Sequence, residues 1–258
     1  MKRILMFVAV LAPLSFSSPA LADVTVTSHV TGKTGSGESI SYVKGLKMRN
    51  DSTLGTTQTS AIMDIEAQKF ISINHAKKEA VVISMVQSRE NGSKAAPGAQ
   101  PSATLTPTGE TKEIAGRQCA GYTTKVSAPL PIGGDASSTM VLTGPVFIAK
   151  GAPGTEDYLR FYSGAAEKGF MLSDPRQSKG PTGPGQGMAD LYKAIVGTGG
   201  IPYSMDLSMT VEGTSPLVAM MKKGMSGVMI STVVTKVVTG DIPAGMFEIP
   251  AGYAVKTQ

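Results

Sequence analysis

The clearest catalytic pattern in the chain is Ser41-x-x-Lys44, the spacing used by serine acyl-transfer enzymes. Those enzymes hold both side chains on one face of a helical turn, so that the lysine amine can accept the proton of the serine hydroxyl. Here the two residues fall in a run of alternating apolar and polar residues, in which positions three apart point to opposite faces of a strand. No Lys-Thr-Gly sequence follows. We therefore predict that the protein is not an enzyme, with a Ser-Lys hydrolase as a minor alternative.

Methionine and cysteine are the candidate metal ligands. The chain has 15 methionines and one cysteine, Cys119. Thioether clusters select Cu(I), and the candidates are Met205, Met209, Met220, Met221, Met225 and Met229. The favoured interpretation is that these methionines fill irregular apolar space and that Cys119 is a buried, inert thiol. The prediction is no metal and no cofactor, with Cu(I) binding as a minor alternative.

The first 22 residues have the composition of a secretory signal peptide. Lys2 and Arg3 precede an apolar run from Ile4 to Leu14, and a small-x-small sequence ends at Ala22. The run is shorter than the roughly 20 apolar residues that span a bilayer. We expect cleavage after Ala22 and a periplasmic or secreted protein that does not span the membrane once processed.

The charge of the chain excludes a nucleic-acid partner. Loss of Lys2 and Arg3 reduces the formal net charge from +5 to +3. The remaining basic residues are spread along the sequence, whereas nucleic-acid binding requires them to be clustered.

Alternation with a period of two dominates the rest of the chain and predicts strands. Further runs with this pattern cover 61–65, 69–74, 80–86, 121–126, 139–148, 204–212 and 227–238. The runs at 80–86 and 228–234 are apolar at nearly every position, which indicates that both faces of the sheet are covered there, and helices are the expected cover. The prediction is a mainly β (α+β) fold.

Three short helices and three loops interrupt the strands. Apolar residues recur with helical spacing from Tyr158 to Ala166, and shorter helices are expected over 188–196 and 217–223. Glycine- and proline-rich composition predicts flexible loops near 87–104, 127–138 and 173–187. We expect one domain over 23–258 rather than two.

Several segments resemble an uncharacterised bacterial exported family of unknown function. The matching segments are 42–49, 61–65, 70–73, 77–78, 114–122 and 242–253, which include Ile114-Ala-Gly-x-x-Cys-x-x-Tyr122 and Ile242-Pro-x-x-x-Phe247. That family is similar to periplasmic lipoprotein carriers, so the resemblance implies a curved antiparallel sheet. It also implies an open half-barrel around an apolar cavity, covered by two or three short helices. These motifs imply no catalytic residue.

The pattern and the resemblance together favour binding of a lipid or lipophilic ligand. The expected cavity wall consists of Met63, Ile65, Ile71, Ile73, Val81, Ile83, Met85, Phe161, Tyr162, Met229 and Val233. The alternative is an envelope structural or interaction protein that meets a protein partner through a sheet edge or its loops.

Overall fold

The structure is a computed structural model that describes residues 22–32, 35–86, 102–129, 138–170, 184–225 and 229–258. These ranges form one mainly β fold. Its strands are β1 (Val24–Gly32), β2 (Gly35–Lys44), β3 (Lys47–Leu54), β4 (Thr57–Asp64), β5 (Lys69–Asn74), β6 (Glu79–Ser84), β7 (Ser102–Ile114), β8 (Arg117–Pro129), β9 (Thr139–Lys150), β10 (Gly200–Glu212), β11 (Met229–Thr239) and β12 (Ala254–Thr257). Its helices are α1 (Thr155–Glu167), α2 (Pro184–Thr198) and α3 (Pro216–Met225), with a 3-10 turn at Ala244–Phe247.

All twelve strands belong to one open sheet, in the order β12-β6-β5-β4-β3-β2-β1-β11-β10-β9-β8-β7. Strands β1 to β6 form an antiparallel meander, and β7 to β11 form a second one. The two meanders join where β1 pairs with β11, and β12 pairs in parallel with β6. The chain therefore returns twice to its N-terminal half to complete the sheet.

Helices cover one face of this sheet, which we call the inner face. Helix α1 packs on β1, β2 and β10, and α2 packs on β7 to β10. The buried side of α1 includes Tyr158, Phe161 and Tyr162. Gly154, with a φ of 72°, precedes α1, and a Cβ at this position would lie 2.5 Å from Cβ of Val24. Only glycine combines this left-handed backbone with such a close approach to β1.

The C-terminal segment, residues 240–253, covers the opposite or outer face of β3 to β6. Ile242 and Phe247 from this segment form one apolar cluster with Ile62, Ile73 and Ala80 of the sheet. The strand β6 is thus apolar on both faces because α1 and its neighbours lie on one side and the C-terminal segment on the other. The expectation that helices would cover both faces was wrong for the outer one.

Most predicted elements are present, with shifted ends. The run at 69–74 coincides with β5, and the three expected helices correspond to α1, α2 and α3. The sequence pattern does not predict strand β7, and its first residues, 102–104, fall in a stretch expected to be a loop. Likewise, 127–129 belong to β8 and 184–187 to α2. The remainder of the three predicted loops lies outside the described residues, apart from Ser138.

None of the helices in the described ranges is long and apolar enough to cross a membrane.

Candidate ligand-binding cavity

A cavity of about 500 Å³ lies between the inner face of β1 to β5 and the helices α1 and α2. Strands β10 and β11 contribute its remaining wall through residues that include Met205 and Val234. The volume falls within the range of roughly 300–1,000 Å³ that is usual for small-molecule sites. Strand register explains which side chains reach it, because residues of alternate positions share one face.

Three cross-strand rows make up the inner face of β1 to β6. The apolar row contains Val24, Val43, Met48, Met63, Phe70 and Ile83. The mixed row contains Val26, Ser41, Asn50, Ala61, Ser72 and Val81. The polar row contains Ser28, Ser39, Ser52, Thr59 and Asn74.

Exposure follows the same order as polarity. Every member of the apolar row is buried, most members of the mixed row are half-buried, and the polar row runs from buried Ser28 to exposed Thr59. The cavity therefore has a closed apolar end and an accessible polar end. The sequence predicts a cavity that is apolar throughout, whereas half of its lining residues carry a hydroxyl group.

Asn50 organises the centre of this surface. Its Nδ2 atom donates to Oγ of Ser39 at 2.8 Å and to Oγ of Ser41 at 2.9 Å. Both N–H groups of the amide therefore donate to the two serines, and its carbonyl oxygen can still accept a hydrogen bond.

Three tyrosines form the wall opposite the strands. The rings of Tyr162 and Tyr192 stack with centroids 4.5 Å apart, and those of Tyr158 and Tyr162 are 4.4 Å apart. Burial raises the pKa of all three hydroxyls, and the hydroxyl of Tyr162 also interacts with those of the other two. Helix α1 presents two of them on one side because they are four residues apart.

Charged side chains lie elsewhere. Of the described residues that line the cavity, none is charged. Lys44 points to the side of its strand opposite Ser41 and bonds to Asp23 at 2.6 Å, to Asp241 at 2.8 Å and to the carbonyl of Ile242. These bonds raise the pKa of Lys44, the hydrogen bond to Asp23 contributing most. Ser41 and Lys44 are therefore not brought together, and the Ser-x-x-Lys spacing forms no proton-transfer pair.

A second polar cluster lies on the outer face and contains a serine, a histidine and an aspartate. Nε2 of His75 is 2.7 Å from Oγ of Ser60, which donates to Oδ1 of Asp51 at 2.6 Å. Nδ1 of His75 is 2.8 Å from the hydroxyl of Tyr253. In a catalytic triad the carboxylate bonds to the histidine. Here the carboxylate of Asp51 accepts from the serine hydroxyl and does not bond to the histidine. Because Tyr253 belongs to the C-terminal segment, the cluster attaches that segment to the sheet.

The predicted wall residues are spread over three places. Met63 and Tyr162 line the cavity. In the core beside it are Ile65, Val81, Ile83, Met85 and Phe161, with Val233 packed against them. Ile71 and Ile73 belong to the outer cluster, and the side chain of Met229 lies outside the described part of the chain. Prediction missed the polar lining, above all Asn50 and Ser72.

The candidate metal ligands do not come together among the described side chains. Met205 and Met209 pack on one cluster, Met221 packs on another, and Met220 is exposed. The side chains of Met225 and Met229 lie outside the described residues. Cys119 is buried, and desolvation raises the pKa of its thiol, which makes it a poor nucleophile.

No protein-family model matches the chain, and a search of curated proteins found no match. Among solved structures, an uncharacterised conserved protein from Thermus thermophilus is similar over 92% of this chain and 91% of its own, with a TM-score of 0.41 and 8% identity. PNGF-II is similar over 92% of this chain and 31% of its own, with a TM-score of 0.37 and 10% identity. At these values neither structure bears on function.

Proposed function

We propose that this is an exported, non-enzymatic protein that binds a lipophilic ligand in the cavity between its sheet and its helices. The observation that carries the proposal is the cavity of about 500 Å³ with a closed, fully buried apolar end. A filled core would leave no such space, because protein interiors are packed to nearly crystalline density. The resemblance to exported carrier-like proteins supports the same function.

We also propose that the sheet bends into an open half-barrel around this space. Two contacts support the bend. Helix α1 touches both β2 and β10, and β7 approaches β11, four strands away in the sheet. The inner face would then enclose the ligand on one side while α1 and α2 cover it on the other.

The alternative of strand addition by a protein partner has weaker support. Strand β7 is a long edge strand, but its register shifts between Pro107 and Thr111, and it carries Glu110, Lys112 and Glu113. Bulges, proline and charges are the features by which edge strands avoid pairing with other chains. We therefore favour ligand binding in the cavity over strand addition by a protein partner.

Binding of a neutral, environment-sensitive fluorescent probe tests the proposal. Ala61 lies in the mixed row, so Ala61→Phe would fill the cavity, whereas Thr57→Phe changes an exposed residue near the start of the same strand. We expect Ala61→Phe to weaken probe binding at least about tenfold and Thr57→Phe to leave it unchanged. Urea unfolding of both variants checks that they fold.

Native mass spectrometry of the protein purified gently from cells provides the second readout, and we expect an additional mass of a lipophilic molecule. Absence of such a mass together with absence of probe binding would refute the proposal. Equal probe binding by Ala61→Phe and the unmodified protein would also refute it, because the probe would then bind elsewhere.

A further inference from the structure

The cavity combines neutrality with an ordered gradient of polarity, and this combination restricts the chemistry of its ligand. Burying an isolated anion without a partner is strongly unfavourable. The described lining offers no cation, and Lys44, Lys47 and Arg49 of strands β2 and β3 are paired with carboxylates. Lys47 bonds to Asp64 at 3.1 Å and Arg49 to Asp51 at 2.6 Å, as Lys44 does to Asp23.

The three rows fix the direction in which an amphiphile would bind. An alkyl chain belongs at the apolar row, against Met48, Met63 and Phe70, where burial of each methylene adds to the affinity. The head group then lies against the mixed and polar rows, at the accessible end. Reversal would place polar atoms at the buried row and the chain in water.

The hydrogen-bonding capacity at the accessible end matches a hydroxyl group. Since Asn50 donates to Ser39 and Ser41, the oxygen atom of each serine already accepts one hydrogen bond, and its O–H group can donate. Asn50 Oδ1 is an acceptor beside them. A hydroxyl both donates and accepts, so it satisfies both kinds of group, whereas an ionised carboxylate or phosphate can accept from the serines but has no proton to donate to the Asn50 oxygen.

We propose, on the basis of the proposed function, that the ligand is a neutral single-chain amphiphile with a hydroxylated head group, the chemical class of monoacylglycerols and alkyl glycosides. The uncharged lining, and not the size of the cavity, disfavours an anionic head group against these rows. The volume of about 500 Å³ suits one small molecule of this class.

Competition against the neutral fluorescent probe tests this selectivity. The competitors share one acyl chain and differ in the head: monolauroylglycerol, laurate, lauroyl lysophosphatidylglycerol and methyl laurate. At pH 8 we expect monolauroylglycerol to bind at least about tenfold more tightly than each of the other three. Its affinity should not change with salt concentration, because no ion pair forms.

Asn50→Leu provides the test at the level of a residue. The variant removes the acceptor, so we expect monolauroylglycerol to lose about tenfold in affinity and to approach methyl laurate, whose affinity stays the same. Ser72→Ala, also in the lining, should give a smaller loss of affinity for monolauroylglycerol. This variant replaces Asn50→Leu in the test if Asn50→Leu does not fold. Ser52→Ala, in the polar row but outside the lining, is the matched control and should bind like the unmodified protein.

The outcomes separate this inference from the function on which it rests. If laurate or the lysophospholipid competes as well as monolauroylglycerol, or if none of the four competes while the probe still binds, the inference is wrong and the binding function stands. If the probe itself does not bind, both are wrong. If Asn50→Leu and Ser72→Ala leave the selectivity unchanged, the head group does not lie where we place it.

Discussion

At the scale of single residues, the tyrosine wall is the most constrained part of the cavity. Tyr162 stacks on Tyr192 and contacts Tyr158, so three phenol rings lie together in one wall, where Tyr158 and Tyr162 are buried and Tyr192 is half-buried. Desolvation penalises the phenolate form of each one and raises its pKa above the ordinary value of 10.0. The wall therefore remains neutral in the folded protein throughout the physiological range.

This neutrality predicts a loss of stability in alkali. Above pH 10 the unfolded chain releases protons that the folded protein retains, so the free energy of unfolding falls as the pH rises further. Each such tyrosine contributes a slope of up to about 1.4 kcal/mol per pH unit. Tyr162→Phe should reduce the slope by about one proton, measured by urea unfolding between pH 9 and 11. Lysines titrate alike in Tyr162→Phe and in the unmodified protein, so they do not alter the comparison. Identical slopes of the unfolding free energy against pH in the two proteins would contradict the prediction.

Sequence could predict only part of this site. The positions of Met63 and Tyr162 could be predicted because an apolar residue in an alternating run, or in a helical stripe, has one favoured face. The place of Asn50 in the lining could not be predicted, because it depends on pairing with Ser41 of the neighbouring strand and Ala61 of the next. A single sequence does not contain that register. Ser41 stands out in the sequence as a candidate nucleophile, whereas in the structure it is a member of the mixed row.

At the scale of elements, the outer cover of the sheet is a segment with little regular structure. Residues 240–253 hold Ile242 and Phe247 against Ile62 and Ile73, and the cluster of His75, Ser60 and Tyr253 fastens the end of the segment. The apolar character of β6 correctly predicted a cover on both sides. It could not predict that a mostly irregular segment with one 3-10 turn, and not an α-helix, would supply one of them, because periodicity describes the strand and not its neighbour.

Phe247→Ala tests the contribution of this cover. Removal of a buried phenylalanine side chain leaves a cavity, so we expect the free energy of unfolding to fall by about 3 kcal/mol. Val255→Ala in β12 removes an exposed side chain and should change it by less than about 0.5 kcal/mol. Urea unfolding monitored by far-UV circular dichroism measures both. A similar small change in the two variants would show that the outer cover does not stabilise the sheet.

Strand length and exposure decided which strands could be predicted. Strand β5 is a short run rich in apolar residues, with one buried residue on each face and turns at both ends, so its limits were predicted correctly. Strand β7 is exposed along nearly its whole length and rich in threonine and charge, so it lacks the apolar alternation that indicates a strand. It is held by pairing with β8, which is a tertiary interaction that the local pattern does not encode.

At the scale of the whole molecule, the predicted signal peptide and the fold meet at one residue. Asp23 follows the predicted cleavage site, and its carboxylate bonds to Lys44 and to the backbone N–H of Ile242. The start of the folded domain is thus tied to its C-terminal segment. Cleavage after Ala22 would leave this connection intact.

The proposed export makes a direct prediction. The protein recovered from the periplasm or culture medium should begin at Asp23, as measured by intact mass and N-terminal sequencing. Replacing Ala20 and Ala22 with leucine should slow processing, since the cleavage site requires small residues. A mature protein that retains Met1, or that is found only inside the cell, would contradict the proposed location.

The tyrosine wall also allows ligand binding in the cavity to be followed by tyrosine spectroscopy. The chain contains no tryptophan and seven tyrosines, of which three line the same cavity. Near-UV dichroism and intrinsic fluorescence of the unlabelled protein are therefore weighted toward this wall. Displacement of water by a ligand changes the surroundings of the stacked rings, so occupancy can be followed continuously without an attached dye.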